Sequence, residues 1–416
     1  MEATFDIGVN EAEKMRNRKN GLGIMNDLAD VFDGLRPAGD VHQGGLPTLF
    51  GQPDFDYFVG FEGAPRFTVI GHDSAQHVFR QHELFSSELY AGTAANWGPN
   101  LLMMDEPEHA RYRALAQPAF ALRTMESWQD RWLLPTLGRL VEGLADLDRC
   151  DLYMSLCARF PAHTIGAALG ISEEETAQVH DWIIRTATNM PQEESDAAGA
   201  ALVAFLSPII EDRRSSPGDD LISLLVTSEL TDEDGSTHRL DDAEVMGFCG
   251  LLLIAGTGTT YRATGILMLS VLSRPELLAQ VKADRSLVNR CVEEVLRWEP
   301  PLTSFSRLVT EDTVIDGVAL PKGALVDVGV GAANRDPRRW DHPNDYDPFR
   351  ESKSHLGFGR GPHFCMGNQL ARMEMRSSLN LILDRFPDIA LDQSVDAPFV
   401  TGTFFRMPTS VPVTLR

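Results

Sequence analysis

The chain has 416 residues, 43% of them hydrophobic and 23% charged, an ordinary globular composition with enough apolar side chains for a sizeable core. Its formal net charge of -23 argues against a nucleic-acid binder, which needs a basic face, and favours solubility. Five cysteines at irregular positions, 150, 157, 249, 291 and 365, form an odd set in a chain too large to need disulfide staples, so reduced thiols inside a cell are expected.

Met1 to Gly23 mixes Asp, Glu, Lys and Arg without an apolar run, so no leader or spanning helix is expected there, and about the first 40 residues read as irregular. Further on, Asp105-Glu106-Pro107-Glu108 places acids and a proline in the first turn of a helix. His109 and Arg113 then lie four apart, on one face. Residues 215–220 and 231–236 read as short turn-rich connections between helical patterns. With no repeat and no linker, 1–416 is expected to be a single domain.

From Val245 to Ser273 the only charged residue is Arg262. About 20 apolar residues suffice to cross a bilayer, but Arg262 in mid-run raises the insertion cost by about 2.5–3.5 kcal/mol. A buried helix is the better expectation, beginning near Asp241 and running for roughly 30 residues and about 45 Å. Its cluster Ala255-Gly256-Thr257-Gly258-Thr259-Thr260 is small enough for close helix packing or for a ligand to lie against it. A threonine hydroxyl there can bond back to a carbonyl of the preceding turn.

Glu294 and Arg297 stand three apart inside the helical stretch Cys291 to Glu299 and can pair. Arg307 precedes a strand-like run from Val314 to Leu320 and the turn Pro321-Lys322-Gly323. The segment Phe358-Gly359-Arg360-Gly361-Pro362-His363-Phe364-Cys365-Met366-Gly367 carries the most chemistry. Its glycines at 359, 361 and 367 predict a tight, partly left-handed path around Cys365, so that the sulfur can approach something flat. Met375, Leu379, Ile382 and Phe386 then recur near helical period, which puts Cys365 just ahead of a helix N-terminus, where a thiolate is favoured. His363 supplies a donor for a carboxylate on a flat cofactor held there. A zinc site from His355, His363 and Cys365 lacks the paired spacing that would complete four ligands. No Gly-Lys-Ser or Gly-Lys-Thr follows the glycines, which excludes a phosphate loop.

This loop resembles the haem-binding loop of the cytochrome P450 family, and the likeness runs from about Phe67 to the C-terminus with several motifs in family order. It implies a mainly α fold with small β-sheets (α+β), a long central helix over the cofactor, and b-type haem (iron protoporphyrin IX) with Cys365 as the axial ligand. Phe358, Gly359, His363 and Gly367 would frame the cofactor, Ala255 and Gly256 would lie against it, and His109, Arg113, Arg307 and His363 would hold its propionates. Glu294 and Arg297 resemble the family's Glu-x-x-Arg pair, to which Arg335 or Arg350 would add a further arginine. Thr259 and Thr260 match the family's helix motif, but Gly258 stands where an acid of the proton relay is expected, so protons must travel by water, Thr259, a more distant group or the substrate.

The implied activity is insertion of one oxygen atom of O2 into an apolar small molecule, with electrons from a separate ferredoxin and ferredoxin reductase or a similar donor. Arg360, Arg372 and Arg376 offer a basic patch near Cys365 where an acidic carrier could dock, or else a solvated helix face. Tyr90, Trp97, Leu252, Thr303, Phe305 and Phe404 are candidate substrate contacts, each with a place in the core as its alternative. A cytoplasmic monomer without nucleic acid or membrane span is expected. A peroxide-using enzyme of the same fold and a haem-binding sensor or carrier without turnover remain open; the substrate stays unassigned.

Overall fold

The computed structural model describes residues 27–52, 58, 60–93, 97–187, 192–231 and 235–415. They fall into two compact units, one of residues 87–133 and 161–258, the other of 27–86, 134–160 and 259–415. Both are built mainly of helices, and the small sheets belong largely to the second.

In the first unit the helices Glu173–Ala187 and Gln192–Ser215 pack together, with Trp182 and Phe205 ring centroids 5.8 Å apart. Glu173, Glu174 and Glu175 open the former and Arg185 stands in its last turn, the arrangement a helix dipole favours. Residues 215–220 form a connection as the sequence suggests, ending on Asp220, whose carboxylate accepts from the Ser223 amide at 2.7 Å and caps helix Leu221–Thr227. The 231–236 stretch departs from expectation: Glu229–Thr231 and Thr237–Arg239 pair as an antiparallel hairpin, with 232–234 outside the described residues.

The expected long helix spans Asp242–Leu272, 31 residues. A reciprocal capping box starts it: the Glu244 amide donates to Asp241 Oδ1 at 2.8 Å, and the Asp241 amide donates to Glu244 Oε2 at 2.7 Å. This helix is long and apolar enough to cross a membrane, but 61% of its apolar window is buried within the protein. Near its start the segment 97–99 lies directly on it, since a Cβ at Gly247 would fall 1.8 Å from the Pro99 carbonyl oxygen and one at Gly250 would fall 2.6 Å from the Trp97 ring.

The second unit carries a five-stranded sheet in the order Val41–Gln43, Arg66–Val69, Leu325–Val328, Phe305–Val309, Phe85–Ser86. Only Arg66–Val69 and Leu325–Val328 run parallel. Val69, Val78, Phe85, Val326, Val328 and Leu356 fill the core beside it. A three-stranded sheet joins Ala390–Leu391, Pro412–Thr414 and Arg149–Asp151. The run expected as one strand from Val314 to Leu320 is instead a hairpin, Thr313–Ile315 against Val318–Leu320. Asp316 and Gly317 make its turn with φ of 48° and 80°, the two positive angles that a tight type I′ turn requires. Of the N-terminal segment expected to be irregular, residues 1–26 lie outside the described residues, whereas Ala29–Leu35 is a helix that buries Phe32 against Leu46 and Ile70.

Candidate active site

Helix Asn368–Arg385 begins three residues after Cys365. The cysteine is half-buried and fixed from both sides: its amide donates to the Phe358 carbonyl at 2.9 Å, and its carbonyl accepts from Asn368 Nδ2 at 2.7 Å. Gly359 and Gly361 have φ of 70° and 69°, the left-handed path expected of them, and a Cβ at Gly361 would fall 2.2 Å from the Phe79 carbonyl oxygen. Gly367 corrects that expectation. Its φ is -79°, and among the described residues nothing beyond its chain neighbours lies within 4 Å of where its Cβ would be.

Burial pushes Cys150 up to about 11 and Cys249 up to about 12, and raises Cys157 and Cys291, so all four are held as neutral thiols. Among the described residues no cluster of three His, Cys, Asp or Glu side chains is suited to a metal ion, which removes the zinc alternative. His355 turns instead to Glu293, 3.3 Å away, which also takes two bonds from Arg372 at 2.6 and 3.0 Å. Burial opposes ionisation of Glu293, yet His355 and Arg372 hold its carboxyl down at about 2. Arg372 stacks over the Phe358 ring at 4.4 Å, so this member of the expected basic patch is tied to the back of the loop.

The Glu-x-x-Arg pair lies in helix Leu287–Trp298. Arg297 donates to both oxygens of Glu294 at 2.8 and 2.7 Å, and also to the carbonyls of Asn334, Pro343 and Asp345. The third arginine is Arg350, at 2.8 Å from Glu294. Arg335 belongs to a different buried network, in which Glu299 receives Arg335 at 2.9 Å and Arg406 at 2.7 Å. Arg307 is buried in strand Phe305–Val309 with its guanidinium 5.7 Å from the Phe79 ring, and His363 is half-buried in the loop.

Of the substrate candidates in this unit, Phe305 and Phe404 are half-buried against Phe79 and Phe405. Thr303 is buried, and its hydroxyl donates to the Thr403 carbonyl at 2.6 Å, so it organises the backbone there.

In the first unit the helix expected at Asp105 starts later, at Glu108; Asp105 instead accepts from the Ser87 amide at 2.9 Å. His109 is buried, with Nδ1 3.1 Å from Glu106, and Arg113 one turn on is half-buried. Burial lowers the His109 pKa and Glu106 offsets this only in part, so the neutral imidazole is favoured. Tyr90 is half-buried and Trp97 buried.

Along the long helix, Leu252, Gly256 and Thr259 are half-buried and Ala255 exposed, while Leu253, Thr257 and Thr260 are buried. Positions 252, 255, 256 and 259 follow the spacing of one helical face. A core helix that leaves such a stripe open has a surface suited to a ligand. Thr257 and Thr264 bond back to the carbonyls of Leu253 and Thr260, as expected of hydroxyls in this run. Thr260 instead meets Glu374, a fully buried acid that sequence reasoning missed. The signal was available: Glu374 interrupts the buried stripe Leu370, Met373, Met375, Ser378 of its helix.

The residues fit a flat, iron-bearing cofactor. Cys365 is a half-buried thiol on a loop fixed by its own backbone bonds, and the glycine at 367 has no reason in φ or in protein packing, as a position kept clear for a bound group would not. Comparisons with known proteins agree. A family model described as Cytochrome P450 matches residues 174–410. The chain is similar to cytochrome P450 monooxygenase PikC of Streptomyces venezuelae, with 35% identity over 80% of this chain and 81% of the relative. It is similar to nocardicin C N-oxygenase of Nocardia uniformis subsp. tsuyamanensis, with 32% identity over 90% and 96%. Among solved structures, CYP109E1 from Bacillus megaterium in complex with testosterone superposes with a TM-score of 0.80 at 28% identity, over 94% of this chain and 99% of that one. With the loop, the Glu-x-x-Arg network and these similarities together, the chain belongs to the cytochrome P450 family, with that family's fold and haem iron, and is an oxidoreductase of the monooxygenase type.

Proposed function

We propose that this chain is a soluble cytoplasmic monooxygenase, a monomer with one catalytic domain, that holds b-type haem through Cys365 and inserts one atom of O2 into an apolar small molecule. The Cys365 loop carries this reading: its half-buried cysteine is fixed by both its amide and its carbonyl just ahead of a helix N-terminus. When bound, a thiolate-ligated haem supplies the cleavage of dioxygen's O–O bond. The protein's own residues do the rest. The loop amides and the start of helix Asn368–Arg385 favour the thiolate form of Cys365. Arg307, Arg113, His363 and His109 offer donors for the propionates, the arginines by charge-assisted bonds. His109 uses Nδ1 on Glu106, so it holds a propionate only when its second nitrogen is also protonated.

The open stripe of the long helix, Leu252, Ala255 and Thr259, supports an apolar substrate. The testosterone complex of the similar solved structure supports a substrate of polycyclic size. Electrons are taken from a separate ferredoxin-type donor, with Arg360 and Arg376 as contacts. The lack of an acid at 258 favours a second reading, a peroxide-using enzyme. A spectral binding screen of apolar compounds, followed by product analysis of the hits with a ferredoxin and reductase pair or with peroxide alone, separates them. Turnover with the pair is expected; turnover with peroxide alone would favour the second reading, and binding without product would indicate a carrier.

A further inference from the structure

Helix Glu108–Ala116 buries His109, Tyr112, Leu115 and Ala116, positions three or four apart that make one face, while Glu108, Ala110, Arg111 and Ala114 are exposed. Two of those four buried side chains carry polar groups, so apolar packing alone gives this face a weak grip. Tyr112 supplies another. Its hydroxyl donates to Glu244 Oε1, and its ring stacks on Phe248 with centroids 6.5 Å apart and planes 14° from parallel. Glu244 and Phe248 are four apart on the long helix, so one face of that helix holds both the hydroxyl and the ring. Glu244 is 9% exposed, and its other oxygen takes the Asp241 amide at 2.7 Å in the capping box, so the carboxylate cannot turn away without giving up that bond. The Tyr112 ring also meets His238, in the second strand of the Glu229–Thr231 and Thr237–Arg239 hairpin, at 5.9 Å.

We propose that Tyr112 is a positioning residue for the haem: held by Glu244 and Phe248, it fixes the rotation of helix Glu108–Ala116 about its own axis and so aims His109 and Arg113 at the propionates. His109 lies three residues before Tyr112 and Arg113 directly after it, so a turn of the helix carries both donors with it. On a helix about 10–12 Å across, a rotation of about 20° moves the tip of a side chain by roughly 2 Å. That is enough to break a charge-assisted hydrogen bond. Tyr112 touches no propionate itself and acts through its two neighbours on the helix. The inference rests on the reading above that His109 and Arg113 hold propionates.

The test compares the haem-loaded wild type with Tyr112→Phe, Arg113→Ala and the variant carrying both changes. It reads the rate of haem transfer to excess apomyoglobin and the propionate-bending band of the haem in resonance Raman spectra. Arg113→Ala should lose haem several-fold faster than the wild type and shift the band. Tyr112→Phe, which keeps the ring and removes only the hydroxyl, should do both in the same direction, and adding it to Arg113→Ala should change little further. A role in stability alone would leave the band in place and add its effect to that of Arg113→Ala. Wild-type haem retention in Tyr112→Phe, an unmoved band, or additive effects would overturn the proposal. Should Tyr112→Phe fail to fold because it leaves the Glu244 carboxylate short of a donor, the double variant Tyr112→Phe/Glu244→Gln removes both partners of the bond. Wild-type haem retention in that variant would overturn the proposal equally. If neither Arg113→Ala nor His109→Ala changes haem retention or the band, the propionate reading falls and takes this inference with it. If they do and Tyr112→Phe does not, only this inference falls.

Discussion

Arg350 donates to Glu294 at 2.8 Å across 56 residues of chain, completing a carboxylate that already holds Arg297. Glu294 is 4% exposed, and the guanidinium of Arg297 goes on to hold three backbone carbonyls between Asn334 and Asp345. Removing one partner of a buried ion pair leaves an uncompensated charge and costs about 3–5 kcal/mol. Glu294→Ala is therefore expected to lose roughly that much stability, measured by chemical denaturation, and Arg335→Ala to leave the Glu294 network in place. A loss within about 1 kcal/mol, the range of exposed pairs, would show that Glu294 is not buried as described.

Two glycines of the cysteine loop should respond in opposite ways. Gly361→Ala needs a left-handed backbone, which costs an L-residue about 1–2 kcal/mol, and its Cβ meets the Phe79 carbonyl oxygen at 2.2 Å. It should lower the stability of the haem-free protein. Gly367→Ala meets none of the described residues beyond its chain neighbours and has an ordinary φ of -79°, so it should fold normally and lose haem occupancy. Denaturation of the haem-free variants beside haem titration checks both; full haem loading of Gly367→Ala would remove the case for that glycine.

Acid should loosen the back of the loop. Glu293 is held at about 2 against an ordinary 4.5, so the folded state binds fewer protons than the unfolded one between those values. Stability from this group is present above about 4.5 and is lost as pH falls toward 2. Asp336, also held at about 2, adds to the same stage. Glu293→Gln should be less stable at neutral pH and show a shallower decline below pH 4.5, read from denaturation midpoints across pH. An unchanged slope would contradict it.

Thr259 and Gly258 should separate binding from proton supply. Thr259→Ala is expected to keep haem and substrate binding while diverting reductant to peroxide, with a loss of up to roughly 10²–10⁴-fold if its hydroxyl acts in proton transfer. Gly258→Asp should help little if water or the substrate carries the proton to Thr259. Product formed per reductant consumed measures both, and a several-fold gain in Gly258→Asp would show that the wild-type site is simply a poor relay.

Local signals with long-range reach were legible in the sequence, and pairwise geometry was not. Asp241 and Glu244 announce the long helix because a capping box is a local pattern. The Cys365 loop is legible because glycine and cysteine in that order have few other uses. By contrast, Arg335 and Arg350 look alike in sequence, and only tertiary packing sends one to Glu299 and the other to Glu294. The turn at Asp316-Gly317 carried a recognisable signal inside a run otherwise read as one strand. Glu374 is one acid in a polar-looking helix, and its burial depends on a partner helix far away in sequence.

The most direct measurement is the absorption spectrum of the reduced protein with carbon monoxide, taken for the wild type and for Cys365→His. The wild type should show the thiolate-haem band from which the family takes its name, and Cys365→His should lose it. A wild type without that band, or a variant that keeps it, would contradict Cys365 as the haem ligand.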